Sequence, residues 1–278
     1  MKIFICLFVL ISAAQCQDAR EETISRTIQF PEIGTGRSLL VDNVQGSIVV
    51  TVHDGQTVEM TAIRRTRAKS EAKFQEAGED VMLDIQERRS RIEIVVETPW
   101  RSRWNDRRPH GYRYYGYDVT FDFELKVPKT IDLYLHTVND GDIEVRDVSG
   151  SFEIKNVNGS VMMFGISGSG HASSVNGSLT VGFRENPVGK CVFRTVNGGV
   201  EVTFQDPLSA ELHLKTFNGK AYTDFDVTAV PKTIPRIKEK RGKRVYRGGD
   251  DYVVRVGEGG PQLAFDTLNG SIHILKNQ

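Results

Sequence analysis

Six histidines, at positions 53, 110, 136, 171, 213 and 273, are the first side chains to test for chemistry, and their spacing argues against it. None forms an HxH or HExxH pair, the patterns that set two imidazoles on one face to hold a metal. His171, His213 and His273 read as isolated strand residues. Gly165-Ile-Ser-Gly-Ser-Gly170 has the look of a phosphate-cradling loop, but a nine-residue glycine register already accounts for its glycines. There is no G-x-S-x-G elbow and no P-loop. Asp140 and Asp142 offer carboxylates to Ca²⁺, yet the matching places in later units carry Ser, Gly or Lys. Glu144, Glu153 and Glu201 are dispersed, whereas a glycan-cleaving site needs carboxylates that converge. No catalytic residue, metal or cofactor is expected.

Two segments carry binding chemistry instead. Residues 100–117 hold two Trp, four Tyr and five Arg. Trp100, Arg101, Arg103, Trp104, Arg107, Arg108, Tyr112, Arg113, Tyr114 and Tyr115 combine stacking faces with guanidinium forks, which suits sugars and anionic glycans. Residues 231–249 are basic, and Lys238, Lys240, Arg241, Lys243 and Arg244 there suit polyanions or acidic lipid headgroups. The plainer reading of both is a solvated hairpin tip. Lys+Arg and Asp+Glu both total 36, so no global charge recruits a partner, and nucleic acid is not expected.

The elements that must carry these segments are set by a repeat. Glycines 141, 150, 159, 168 and 177 fall nine apart, and all but Gly168 are followed by apolar residues two and four positions on, as in Val157-Asn-Gly159-Ser-Val161-Met-Met163. That alternation is the period of a strand with one buried face, and glycine is expected to supply a turn with φ > 0. Asn precedes Gly only at every second corner: Asn158-Gly159, Asn176-Gly177, Asn197-Gly198, Asn218-Gly219 and Asn269-Gly270. Two unlike corners predict an all-β solenoid, β-helix-like, with about 18 residues per coil. Asn158, Asn176, Asn197 and Asn218 then stack along one edge as an amide ladder. The alternative is a β-sandwich of hairpins, because Asn-Gly is also a strong hairpin signal.

Around the repeat, residues 1–16 read as a signal peptide: Lys2, an apolar run Ile3–Ile11, and small residues that fit cleavage after Ala14. Gln15 disfavours the alternative in which Cys16 is acylated. Residues 25–135 read as a β-rich part with strands near Thr27–Phe30, Leu39–Val41, Ile48–Val52, Val81–Ile85 and Ile92–Glu97, one helix within 68–80, and the insertion 100–117. Residues 136–278 hold the repeat and the insertion 231–249. Cys191 is the one cysteine deep in the chain, so no disulfide framework is expected.

The Asn-Gly units, ending in Leu268-Asn-Gly-Ser-Ile-His-Ile274 after Gly257-Glu-Gly-Gly260, resemble the bacterial putative-adhesin family, domains of unknown function with a β-solenoid-like repeat. The resemblance spans roughly residues 38–275 and implies no catalytic residue. Together these readings predict an exported, non-enzymatic protein of the periplasm, outer surface or medium that binds a glycan, an anionic envelope polymer or a lipid headgroup. The alternatives are a glycan-active β-helix enzyme and a self-assembling envelope protein that pairs through an uncapped Ile272–Ile274 strand.

Overall fold

The computed structural model describes residues 19–32, 36–99, 115–230, 238–240, 243–245 and 251–277. The signal-like segment and most of the aromatic insertion lie outside them. The described strands form two large mixed sheets and a separate two-stranded ribbon. The chain divides into two compact units, residues 1–148 and 149–278.

In the first unit one layer runs Ala19–Ile28, Val58–Ala68, Tyr117–Pro128, Ile48–His53, Ile143–Arg146. The first two pairings are antiparallel and the next two parallel. The other layer runs Met82–Arg88, Arg91–Glu97, Ser38–Asp42, Asp132–Thr137. Period-2 alternation drives both: Val119, Phe121, Phe123, Leu125 and Val127 are buried while the residues between them face outward. The helix, expected within 68–80, is Glu71–Asp80. Ser70 caps it by accepting from the Lys73 amide at 3.3 Å.

In the second unit the strands alternate between the two layers at each corner. Phe152–Asn156, Gly170–Ser173, Cys191–Asn197, Ala210–Asn218 and Gln262–Asn269 belong to one sheet. Val161–Ser167, Leu179–Glu185, Val200–Phe204, Ala221–Thr223 and Ile272–Lys276 belong to the other. The Asn-Gly corners therefore join strands of opposite sheets, and these neighbours within a sheet are parallel; beyond Ala210–Asn218, Asp251–Val256 and then Val227–Ala229 extend the first of them antiparallel. Val161 pairs with Leu179, eighteen residues on, and Leu179 with Val200, twenty-one on, where the sequence carries its three-residue expansion. Four phenylalanines fill the space between the layers. Phe183 stacks on Phe204 at 5.1 Å and Phe193 on Phe265 at 5.4 Å, with edge contacts between the two pairs.

The order of rungs departs from chain order. Gln262–Asn269 lies between Cys191–Asn197 and Ala210–Asn218, and Ile272–Lys276 between Val200–Phe204 and Ala221–Thr223. The C-terminal strand expected to be an open edge is thus interior. Both its flanks are hydrogen-bonded, and Ile272 and Ile274 are fully buried. The physical reason is burial: Leu263, Phe265, Ile272 and Ile274 gain neighbours on both sides, leaving the more polar Ala221-Tyr222-Thr223 at the margin. Phe193→Ala removes a fully buried ring from the centre of this core. It is expected to cost about 3–5 kcal/mol, read as a lowered urea midpoint at unchanged slope.

Candidate functional site

At the Asn-Gly corners, the side chain three residues before each glycine is polar. Asn156, Ser174, Thr195, Thr267 and Thr216 precede Gly159, Gly177, Gly198, Gly270 and Gly219. Ser174 Oγ donates to the Gly159 carbonyl at 2.8 Å, Thr195 Oγ1 to Gly177 at 2.7 Å, Thr267 Oγ1 to Gly198 at 2.9 Å and Thr216 Oγ1 to Gly270 at 2.9 Å. Each rung's hydroxyl thereby satisfies the turn carbonyl of its neighbour. The first unit repeats the device. Fully buried Asn43 donates to Gly46 O at 3.2 Å and to Phe121 O at 2.8 Å, and Thr137 Oγ1 to Gly46 O at 2.8 Å. Sequence reasoning missed this inner ladder; its signal was the Asn, Ser or Thr standing two places before each Asn.

The outer ladder is made of the predicted asparagines in a different order. Asn176 Nδ2 donates to Asn158 Oδ1 at 2.8 Å, Asn197 to Asn176, Asn269 to Asn197 and Asn218 to Asn269, each of these three at 2.7 Å. Asn269 stands between Asn197 and Asn218 because its strand is threaded there. The glycines beside them serve close approach, not the left-handed backbone expected from sequence. None of Gly159, Gly177, Gly198, Gly219 and Gly270 has positive φ. A Cβ at Gly177 would fall well inside van der Waals contact with the Gly159 carbonyl oxygen, and one at Gly198 would do the same to Gly177. At the other corner type Gly150 and Gly168, with φ of 147° and 142°, do adopt the glycine-favoured region.

These residues are occupied in holding the corner, and the candidate binding residues lie in the departures from it. Trp100, Arg101, Arg103, Trp104, Arg107, Arg108, Tyr112, Arg113, Tyr114 and Arg241 lie outside the described residues. Tyr115 is described, at the return end of the aromatic segment. Its ring is 5.9 Å from that of Tyr117. Tyr117 is buried and its hydroxyl donates to the Asp80 carboxylate at the end of the helix. Burial, then the hydrogen bond to Asp80, raise the Tyr117 phenol above its ordinary range. The Lys73 ammonium lies 6.0 Å from the Tyr117 ring centre and 2.5 Å from Glu76. Arg20 pairs with Glu71 and covers the Phe74 ring at 4.2 Å. Arg64 caps the far end of the helix, donating to the Ala77 carbonyl at 2.9 Å. The helix is a brace for one end of the insertion.

The second insertion forms a ribbon outside both large sheets: Lys238–Lys240 pairs antiparallel with Lys243–Val245. Its register sets Lys240 opposite Lys243 and Glu239 opposite Arg244. Elsewhere in the second unit, outward charges pair with opposite charges nearby: Glu153 with Lys155, Arg194 with Asp266 at 3.0 Å, Arg255 with Glu211 at 3.3 Å. Glu153 and Glu201 sit on different sheets and do not converge. Among the described residues, no group of three or more His, Cys, Asp or Glu is placed to hold a metal.

No family model and no curated relative matches the chain. Similar solved structures include one named a putative cell adhesion protein from Clostridium sporogenes (TM-score 0.46, 9% identity, 93% of this chain and 100% of that one). A second is a putative adhesin from Bacteroides fragilis (0.28, 8%, 92% and 97%). A third is a putative lipid binding protein from Parabacteroides distasonis (0.28, 9%, 92% and 97%). At these values the likeness transfers no residue and no activity.

Two expected outcomes follow from the site. Thr195→Val strands a turn carbonyl and is expected to cost about 1–3 kcal/mol, more than Asn197→Ala in the exposed ladder; chemical denaturation of both variants measures the order. Tyr117 is neutral in the folded state while an unfolded tyrosine ionises near pH 10.0. Its contribution is therefore complete below that pH and declines as pH rises above it. Tyr117→Phe is expected to flatten that alkaline loss relative to wild type in denaturation series from pH 8 to about 11.

Proposed function

We propose that this chain is an exported, non-enzymatic, adhesin-like protein of the cell envelope, a β-solenoid scaffold of about 18 residues per coil that binds an anionic polymer or lipid headgroup through its insertions. The observation that carries the reading is the basic ribbon. Its residues include Lys238, Lys240, Lys243 and Arg244 against Glu239 alone, a local excess of positive charge that attracts an anionic surface. The scaffold supports the reading by exclusion of other uses: its asparagines and hydroxyls satisfy backbone and one another. Parallel registers of 18 and 21 residues support the coil. The leader-like N-terminus supports export. A phosphate- or carboxylate-bearing surface is the partner that this charge pattern fits.

The test is co-sedimentation with phosphatidylcholine vesicles carrying or lacking phosphatidylglycerol, in parallel with binding to an acidic polysaccharide. Wild type is expected to bind one of the anionic probes, and to lose about tenfold in affinity as salt rises from 50 to 200 mM. Replacing Lys238, Lys240, Lys243 and Arg244 together by Gln is expected to weaken binding at least about tenfold. Binding indifferent to salt and to these substitutions would remove the ribbon as the contact. Deleting residues 100–114 in the same assay reads the separate contribution of the aromatic segment.

A further inference from the structure

Among the described residues, the first unit carries an edge that no strand closes. Ala19–Ile28 is the outermost strand of its sheet and pairs on one side with Val58–Ala68 through ten consecutive residues without a bulge. In an antiparallel pair alternate residues turn their N–H and C=O groups away from the partner, so a strand of this length leaves a row of backbone donors and acceptors facing outward. Proteins ordinarily blunt such edges with proline, bulges, short strands or unpaired charge. This strand has no proline, and its length is ten residues. Three of its four charges are neutralised within the chain: Arg20 by Glu71, Glu21 by Arg65, and Glu22 by Arg64 at 3.8 Å. Arg26 alone is exposed without a charged partner among the described residues.

We infer that this edge pairs with the same edge of a second copy, in antiparallel register about a two-fold axis through Ile24. The argument is self-complementarity. A two-fold perpendicular to a sheet sets residues equidistant from the central one opposite each other, with both core faces on the same side. Centred on Ile24, it places Arg26 opposite Glu22 of the second copy, twice, and Thr23 opposite Ser25. Glu22 stays accessible to it, with a side chain 44% exposed. Ile24 meets its own copy beside buried Ala62. Centred on Thr23 instead, the strand sets Arg20 against Arg26, a like-charge pair. Centred on Ser25, Arg26 meets Ile24 and the charge pair is lost.

The other open edges fit a second copy less well. Ala221–Thr223 and Val227–Ala229 have three residues each, too few for a ladder. Met82–Arg88 has seven residues, and a two-fold through its central Ile85 sets Asp84 opposite Gln86 and Met82 opposite Arg88, with no opposite-charge pair. The Ile24-centred pairing closes on itself, so it yields a dimer and no fibre.

Sedimentation equilibrium of the purified protein across a concentration series tests this. The mass is expected to rise from one chain to two and stop there. Arg26→Glu sets Glu22 against a second carboxylate and is expected to weaken the dimer at least about tenfold; Glu22→Arg does the same with two guanidinium groups. An equimolar mixture of E22R and R26E restores both pairs and is expected to dimerise although neither variant does alone. Because Glu22 also faces Arg64, thermal melts establish that E22R is folded, and Ile24→Cys gives an independent reading. Directly opposed residues have Cα atoms about 4.5–5.5 Å apart, within disulfide range, so oxidised I24C is expected to run as a covalent dimer. A protein that stays monomeric at all concentrations overturns the inference. So does a dimer that tolerates Arg26→Glu, a mass beyond two chains, or an I24C dimer that does not cross-link.

Discussion

The close approach of one turn to the next at the Asn-Gly corner is the constraint on which the second unit depends. Parallel strands stack their corners directly over one another, so the glycine of one rung lies against the carbonyl of its neighbour and no Cβ fits between. That approach buries turn carbonyls, which are costly without a partner. Hydroxyls from Ser174, Thr195, Thr267 and Thr216 supply the partner from inside. A chain of five asparagine amides ties the outside of the corner, rung to rung. Apolar residues two and four places after the glycine then fall in register without further specification, because a fixed corner fixes the strand that leaves it.

A corner so fully bonded has little left to offer a ligand. The polar groups most abundant in the repeat are used up in structure, and many of the outward charges between the corners meet opposite charges. The segments where the chain leaves the repeat are therefore the ones proposed for recognition. The helix with its Arg20, Arg64 and Tyr117 contacts fixes one end of the aromatic segment, and the basic segment pairs with itself as a two-stranded ribbon that belongs to neither large sheet.

Edges follow from the same logic. Parallel stacking always ends in strands with one unpaired side, and a fold of this kind must close, cover or use them. In the second unit the late strands are threaded between earlier ones, which moves the apolar Ile272–Lys276 inside and leaves a three-residue strand at the margin. Among the described residues the N-terminal strand has no such cover. Its charges are mostly neutralised in place, which removes the repulsion that would otherwise keep a second chain away.

The strands of the repeat, a helix within 68–80 and the unlike corners were legible in the sequence, the strands and corners because they rest on local rules, alternation and the spacing of Asn-Gly; Tyr117–Pro128 was not among the expected strands, and the first strand is Ala19–Ile28 where Thr27–Phe30 was expected. The amide ladder was legible too, since side chains at one repeat position must stack if the rungs are parallel. What the sequence could not supply was the order of the rungs. Leu268-Asn-Gly270 looks like one more unit after the Asn218 unit, yet it lies between the Asn197 and Asn218 rungs, and only the burial of Leu263, Phe265, Ile272 and Ile274 on both flanks decides that. The role of the glycines escapes a local reading for a related reason. Their need is set by a carbonyl 18 to 72 residues away in the chain, and local dihedral preference carries no trace of it. The sequence by itself determined the period and the faces, which are properties of a strand and its turn. The tertiary structure decided which rung touches which, because that depends on total burial across neighbours no local pattern names.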